Sequence, residues 1–101
     1  MKTLSQLVSM EQLEEAGQCL KTLAHPHRLR MVEMLLESEY TVGELAEACG
    51  IQSHQASEHL GKMRDRGLLA AERRGQCTYY KIAEPALASI FSCIRKRFGA
   101  E

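Results

Sequence analysis

No apolar run in the 101 residues reaches the length of a bilayer-crossing helix, which excludes a helical membrane span. The opening stretch MKTLSQLVSMEQ has no hydrophobic signal-peptide core, so a cytoplasmic location is the expectation. There is no C-x-x-C and no Cys–His group at knuckle spacing: Cys19, Cys49, Cys77 and Cys93 are scattered. That argues against a local zinc knuckle and a dithiol redox centre, and each cysteine reads by default as a small, partly buried hydrophobe. Phosphate loops, nucleophile–base groupings and paired carboxylates are missing too, so the chain is not expected to be an enzyme or to need a cofactor. Repeats, low-complexity tracts and dividing linkers are also lacking, which leaves one domain over residues 1–101. Even net charge is absent, with 13 Lys/Arg against 13 Asp/Glu. The balance is local only. Residues 1–50 hold four basic and eight acidic side chains, residues 51–101 nine and five, so the second half carries the basic footprint expected of a surface facing phosphate.

What is present centres on residues 41–67. Thr41 and Glu44 form a T-x-x-E capping box at a helix start. Val42, Leu45, Ala46 and Ala48 give that helix a small apolar face, Gly50 suits its left-handed end, and Ile51 plugs the turn. Gln52 or Ser53 then caps a second helix with Ala56, Leu60 and Met63 inward at i, i+4 and i+7. Its outward positions are Ser53, His54, Gln55, Ser57, Glu58, His59, Lys62 and Arg64, and Gly67 stops it. This pattern predicts a helix-turn-helix whose second helix enters a DNA major groove; a structural corner with a merely solvated polar face is the alternative.

The remaining elements frame that unit. Residues 1–9 carry no pattern and are expected to be flexible. Residues 10–24 show apolar Met10, Leu13, Ala16, Leu20 and Leu23 at helical spacing, and His25-Pro26 opens another helix with Leu29, Val32, Leu35 and Leu36 on one side. Arg28 and Arg30 near its start either pair with acids, the favoured expectation, or reach a phosphate. After the helix-turn-helix, residues 68–82 (LLAAERRGQCTYYKI) read as a hairpin, or wing, with runs Leu68–Arg73 and Cys77–Ile82 around a tip at Arg74-Gly75-Gln76. Arg73, Arg74 and Gln76 are its candidate DNA contacts. Residues 84–98 begin at Glu84-Pro85 and carry Leu87, Ile90, Phe91, Ile94 and Phe98 in one stripe. That stripe and the first helix offer more apolar surface than so small a domain can bury, which predicts a twofold dimer on a palindromic double-stranded site. The fold class is therefore mainly α with a small β-hairpin: a winged helix-turn-helix of about five helices, dimerising through the first and last.

The segments L-x-x-L-x-H-P-x-R-L (Leu20 to Leu29), V-G-E-L-A (Val42 to Ala46), S-x-H-L (Ser57 to Leu60), R-x-x-G-L (Arg64 to Leu68) and the closing Tyr79-Tyr80 occur in an order that resembles the ArsR/SmtB winged-helix repressors. The resemblance spans roughly residues 10–98. It implies a dimeric repressor released from its operator by an inducer, with Gln52, Ser53, His54, Gln55, Ser57 and His59 facing bases or phosphates beside Lys62 and Arg64. His54 and Glu58 depart from the commonest pattern, so the operator sequence does not carry over.

The resemblance also raises metal sensing, and both classical sites are missing. A cysteine pair at the third helix is replaced by Thr41 and Gly43, and the last helix has no histidine. Cys19 on the first helix and Cys93 on the last remain as sensor candidates, through a disulfide or polysulfide bridge or, alternatively, a metal or metalloid ion held by thiolates. Relatives that sense through thiols use cysteines on the second and last helices, and the second-helix region here holds Glu33 instead. Cys49 and Cys77 read as packing and strand residues. His25 and His27 read as a helix entry, with His27 also able to ligate. The reading from another class is a protein-interaction winged helix that does not bind DNA.

Overall fold

The computed structural model describes residues 6–99. The elements run α1 (Met10–Leu23), α2 (Pro26–Leu35), β1 (Tyr40–Thr41), α3 (Val42–Cys49), α4 (Ser53–Asp65), β2 (Leu69–Arg74), β3 (Cys77–Ile82) and α5 (Leu87–Phe98). This is a winged helix-turn-helix. The strands form one antiparallel sheet in the order β1-β3-β2, with Tyr40 opposite Tyr80 and Ala71 opposite Tyr80 on the other edge.

Local chemistry sets most of the boundaries. Ser9 and Gln12 close a capping box at the start of α1. The order therefore begins inside the 1–9 stretch expected to be flexible, and residues 1–5 lie outside the described residues. His25 caps α2 by accepting the His27 amide on its Nδ1, and Pro26 follows in the first turn, where its missing N–H costs nothing. The Thr41–Glu44 box at α3 has both of its bonds, at 3.1 and 2.8 Å. Gly50, at φ 68°, ends α3, and Ile51 N–H returns to the Ala46 carbonyl in a Schellman-type closure. Gly67, at φ 77°, does the same for α4, with Leu68 N–H on the Met63 carbonyl.

One core joins these elements. Met31, Val32 and Leu35 of α2, Leu45 and Ala46 of α3, Ala56, Leu60 and Met63 of α4, Tyr80 of β3, and Leu87 and Phe91 of α5 are all buried. The inward face of α4 is the expected one. On α3, Ala48 is exposed and Cys49 packs in its place. The last helix starts three residues later than residue 84: Glu84 accepts the Ala86 amide in an entry turn, and the regular helix begins at Leu87.

The first helix contributes little to this core. Only Leu23 is buried, while Met10, Leu13 and Leu20 are 69%, 48% and 54% exposed. On α5, Phe98 is 75% exposed. Two amphipathic helices thus present unburied apolar faces.

Candidate nucleic-acid interface

Helix α4 is held by its buried residues so that Ser53, His54, Gln55, Ser57 and Glu58 face outward and exposed. Gln52 precedes them as the N-cap, also exposed, and its backbone N–H donates to Gln55 Oε1 at 3.0 Å. One side of the Gln55 amide is therefore engaged in starting the helix. Lys62 is exposed near the other end. Arg64 lies 3.5 Å from Asp65 and also donates to the Tyr80 hydroxyl, tying the end of α4 to the sheet.

His59 stands apart from the other seven outward positions. It is half-buried against the start of α2, with its ring centroid 4.5 Å from that of His25 and 5.9 Å from that of His27. Its Nδ1 accepts from Arg28 Nε at 2.9 Å, while Arg28 Nη1 donates to the Thr22 carbonyl at 2.8 Å. Burial, and then the charge of His25, Arg28, His27 and Lys62, hold the His59 imidazole below its usual pKa. The expectation that Arg28 pairs with an acid is thereby corrected: it spans two helices through neutral acceptors. Arg30 does form the expected ion pair, with Glu33, which also meets Arg95 of α5 at 3.7 Å.

The wing is rearranged by one residue. Arg74 lies within β2, opposite Cys77, and the turn is the two-residue Gly75-Gln76. Gly75 has φ 62°, the glycine-first signature of a type II′ hairpin turn. Arg74 donates to Glu39 and Glu72 at 2.7 and 2.8 Å and lies over the Tyr79 ring. Its charge is locally compensated. Those carboxylates hold the Arg74 guanidinium above its ordinary pKa, and Arg74 in turn holds Glu72 below the usual carboxylate value. Among the described residues the Arg73 side chain bonds only the Gly75 carbonyl; it is exposed, as is Gln76.

The cysteines remain separate thiols among the described residues. Cys19 lies in a groove between α1 and the end of α4, beside Gln12, Glu15, Asp65 and Arg66. Cys93 is exposed on α5. Cys49 is half-buried, its Sγ 3.7 Å from the His27 carbonyl, and burial pushes its thiol pKa up. Among the described residues His25, His27 and His59 are also the one group able to hold a metal ion, with a ligand atom of each within 4.8 Å of the others. The sequence reading missed this grouping. Its signal was the H-P-H at the α2 entry together with the histidine of S-x-H-L.

A helix-turn-helix domain family matches residues 23–71, from the end of α1 into the wing. An uncharacterized HTH-type transcriptional regulator of Mycobacterium tuberculosis, Rv0081, is 43% identical over 77 residues, 75% of this chain and 68% of the relative. The biofilm growth-associated repressor of Xylella fastidiosa is 34% identical over 87 residues, 86% and 76% of the two chains. Among solved structures, NolR from Sinorhizobium fredii superposes with a TM-score of 0.82 at 30% identity over 95% of this chain and 99% of its own. A homodimeric domain of Mycobacterium bovis Mb0332, described as a possible ArsR-family regulator, gives 0.76 at 28% identity, covering 91% and 87%. Fold, motif order and these likenesses agree, and the chain belongs to the ArsR/SmtB family of winged helix-turn-helix transcriptional regulators.

Proposed function

We propose that the chain acts as a homodimeric repressor that binds a palindromic operator and leaves it when an inducer acts. The observation that carries this reading is the division of α4: Ala56, Leu60 and Met63 are sealed in the core, while Gln52, Ser53, His54, Gln55 and Ser57 stand exposed along the first turns. Those side chains face the base edges; Lys62 and Arg73 meet phosphates, with Arg64 and Gln76 alongside. Arg74 serves the wing's shape rather than the DNA, because two carboxylates already compensate it. The unburied faces of α1 and α5 pack against a second copy and set the two α4 helices about one DNA turn apart. Related repressors and a homodimeric structural neighbour support this arrangement.

The test is fluorescence anisotropy of the reduced, chelator-treated protein on duplex DNA from its own upstream region, in rising salt. Tight binding that weakens steeply with salt is expected, because phosphate contacts release counterions. Salt-independent or absent binding favours a protein-interaction winged helix and overturns the repressor reading.

A thiol inducer is the second reading, favoured by the position of Cys19 in the groove against Asp65 and Arg66. A change at that sulfur is felt where α4 ends, and Cys93 on α5 is the candidate partner across the dimer. Treatment with an organic polysulfide, followed by reductant, then releases and restores DNA binding. Binding unchanged by treatment overturns this switch and leaves the repressor reading standing.

A further inference from the structure

Between the start of α2 and the middle of α4, three imidazoles converge that the DNA-facing surface does not use. His25, His27 and His59 each offer a nitrogen within 4.8 Å of the other two, and all three are half-buried rather than free in solvent. We propose that this triad is a binding site for a borderline divalent transition ion of the Zn²⁺ or Co²⁺ class, and that occupancy loosens the recognition helix.

Ligand type and geometry point to that class. Three neutral nitrogens with no carboxylate suit Zn²⁺, Co²⁺ or Ni²⁺ and not Mg²⁺ or Ca²⁺, which require oxygen. With metal–nitrogen bonds of about 2.0–2.1 Å, tetrahedral ligands stand about 3.3 Å apart, so the triad needs to contract by at most about 1.5 Å. The fourth position is left to water, as in other three-histidine sites. Two cations, Arg28 and Lys62, act unfavourably on the triad, and the chemistry of His59 removes the one bonded to it, Arg28.

A neutral imidazole has one lone pair and one N–H. His59 spends its lone pair on Arg28 Nε at 2.9 Å. If the ion takes Nδ1, that lone pair is gone; if it takes Nε2, the proton moves to Nδ1 and two donors face each other. Either way the Arg28–His59 bond and the metal exclude one another. His25 obeys the same rule, so its Nδ1 gives up the His27 amide when either nitrogen ligates. Arg28 is the element both states bias, since its other arm holds the Thr22 carbonyl at the end of α1. Metal-free, the Arg28 guanidinium joins the end of α1 to the middle of α4, while Arg66 joins Gln18 of α1 to the far end of α4 at 3.3 Å. With the ion bound, the Arg28 link opens, and operator affinity falls roughly tenfold, with DNA weakening the metal by the same factor.

The regulatory half rests on the repressor reading, whereas the site does not, so the two are measured separately. The intact reduced protein is titrated with Co²⁺ alone while the visible and near-ultraviolet spectra and the imidazole ¹⁵N resonances are recorded. One equivalent should give ligand-field bands without thiolate charge transfer and should shift His25, His27 and His59 but not His54, the fourth histidine of the chain. The His27 side chain makes no hydrogen bond among the described residues, so His27→Gln should weaken Co²⁺ at least tenfold and keep metal-free DNA affinity within twofold. A thiolate band, Co²⁺ binding unaffected by His27→Gln, or no shift at the three histidines overturns the site. If Co²⁺ loads but anisotropy on the operator is unchanged, the regulatory half fails. If the metal-free protein binds no DNA, the repressor reading fails while the cobalt titration still decides the site.

Discussion

Arg74 Nη2 donates to Glu39 at 2.7 Å across 35 positions of sequence, and the same nitrogen meets Glu72 on its own strand at 2.8 Å. The wing is thus pinned to the segment that leads into β1, and the more basic half of the chain holds fewer free cations than its composition suggests. Arg73 is the wing arginine without a carboxylate partner among the described residues. Arg73→Ala is expected to weaken operator binding and to lower the slope of log K against log salt by about one. Glu72→Gln should strengthen binding, because it removes a negative charge from the wing that faces phosphate. Salt-series anisotropy on the two variants checks both signs.

Glu72 titrates below the ordinary carboxylate value because Arg74 bonds its charged form. A depressed folded-state pKa stabilises the fold above the unfolded value, and that contribution disappears as pH falls through the folded one. The window therefore lies at and below the ordinary glutamate value of about 4.3. A carboxylate-detected NMR titration should place Glu72 below the free glutamates, and Arg74→Ala should return it to them.

The apolar faces of α1 and α5 make dimerisation testable without DNA. Leu20→Asp puts a charge on a helix that buries little else, where Leu20 is 54% exposed within one chain. Light scattering at micromolar concentration should show a monomer with unchanged helical content. Operator affinity should drop about a hundredfold or more as the two half-sites lose their linkage.

Within the helix-turn-helix, two substitutions separate capping from packing. Thr41→Ala removes the bond to the Glu44 amide and should cost about 1 kcal/mol. Leu60→Ala empties a fully buried site and should cost about 3 kcal/mol. Urea unfolding at a fixed protein concentration, which the proposed dimer requires, gives the ranking.

Thiol accessibility gives a further order. Cys77 and Cys93 are exposed, Cys19 is half-buried, and Cys49 is half-buried with a raised pKa and its Sγ against the His27 carbonyl. Because the thiolate is the nucleophile, alkylation by iodoacetamide near neutral pH, followed by peptide mass mapping, should reach Cys49 last.

Features fixed by neighbours in sequence were legible before the structure. The Thr41–Glu44 box, Gly50 and Gly67 as helix ends, and the Ala56–Leu60–Met63 face all depend on spacing of seven residues or fewer. Strand β1 was not legible, because two residues become a strand only by lying against Tyr79 and Tyr80. The exchange of Ala48 for Cys49 has a similar origin: eight residues of helix fix the phase of an apolar stripe only to within one position. His59 was misplaced because it sits on the border of the polar face, where the side chains of α2 decide which way it turns. Arg28 and Arg74 found partners far along the chain, and composition gives no sign of such pairings.

The bond from the Gln52 amide to Gln55 Oε1 limits what this protein reads in a groove. A glutamine recognises adenine by using both ends of its amide at once, donating to N7 and accepting from N6. While Gln55 keeps α4 capped, only its NH₂ end faces outward. That end speaks to acceptors: N7 of either purine, guanine O6, or thymine O4. Two-ended reading of adenine at that position therefore asks one oxygen to serve the helix cap and the base together, through its two lone pairs.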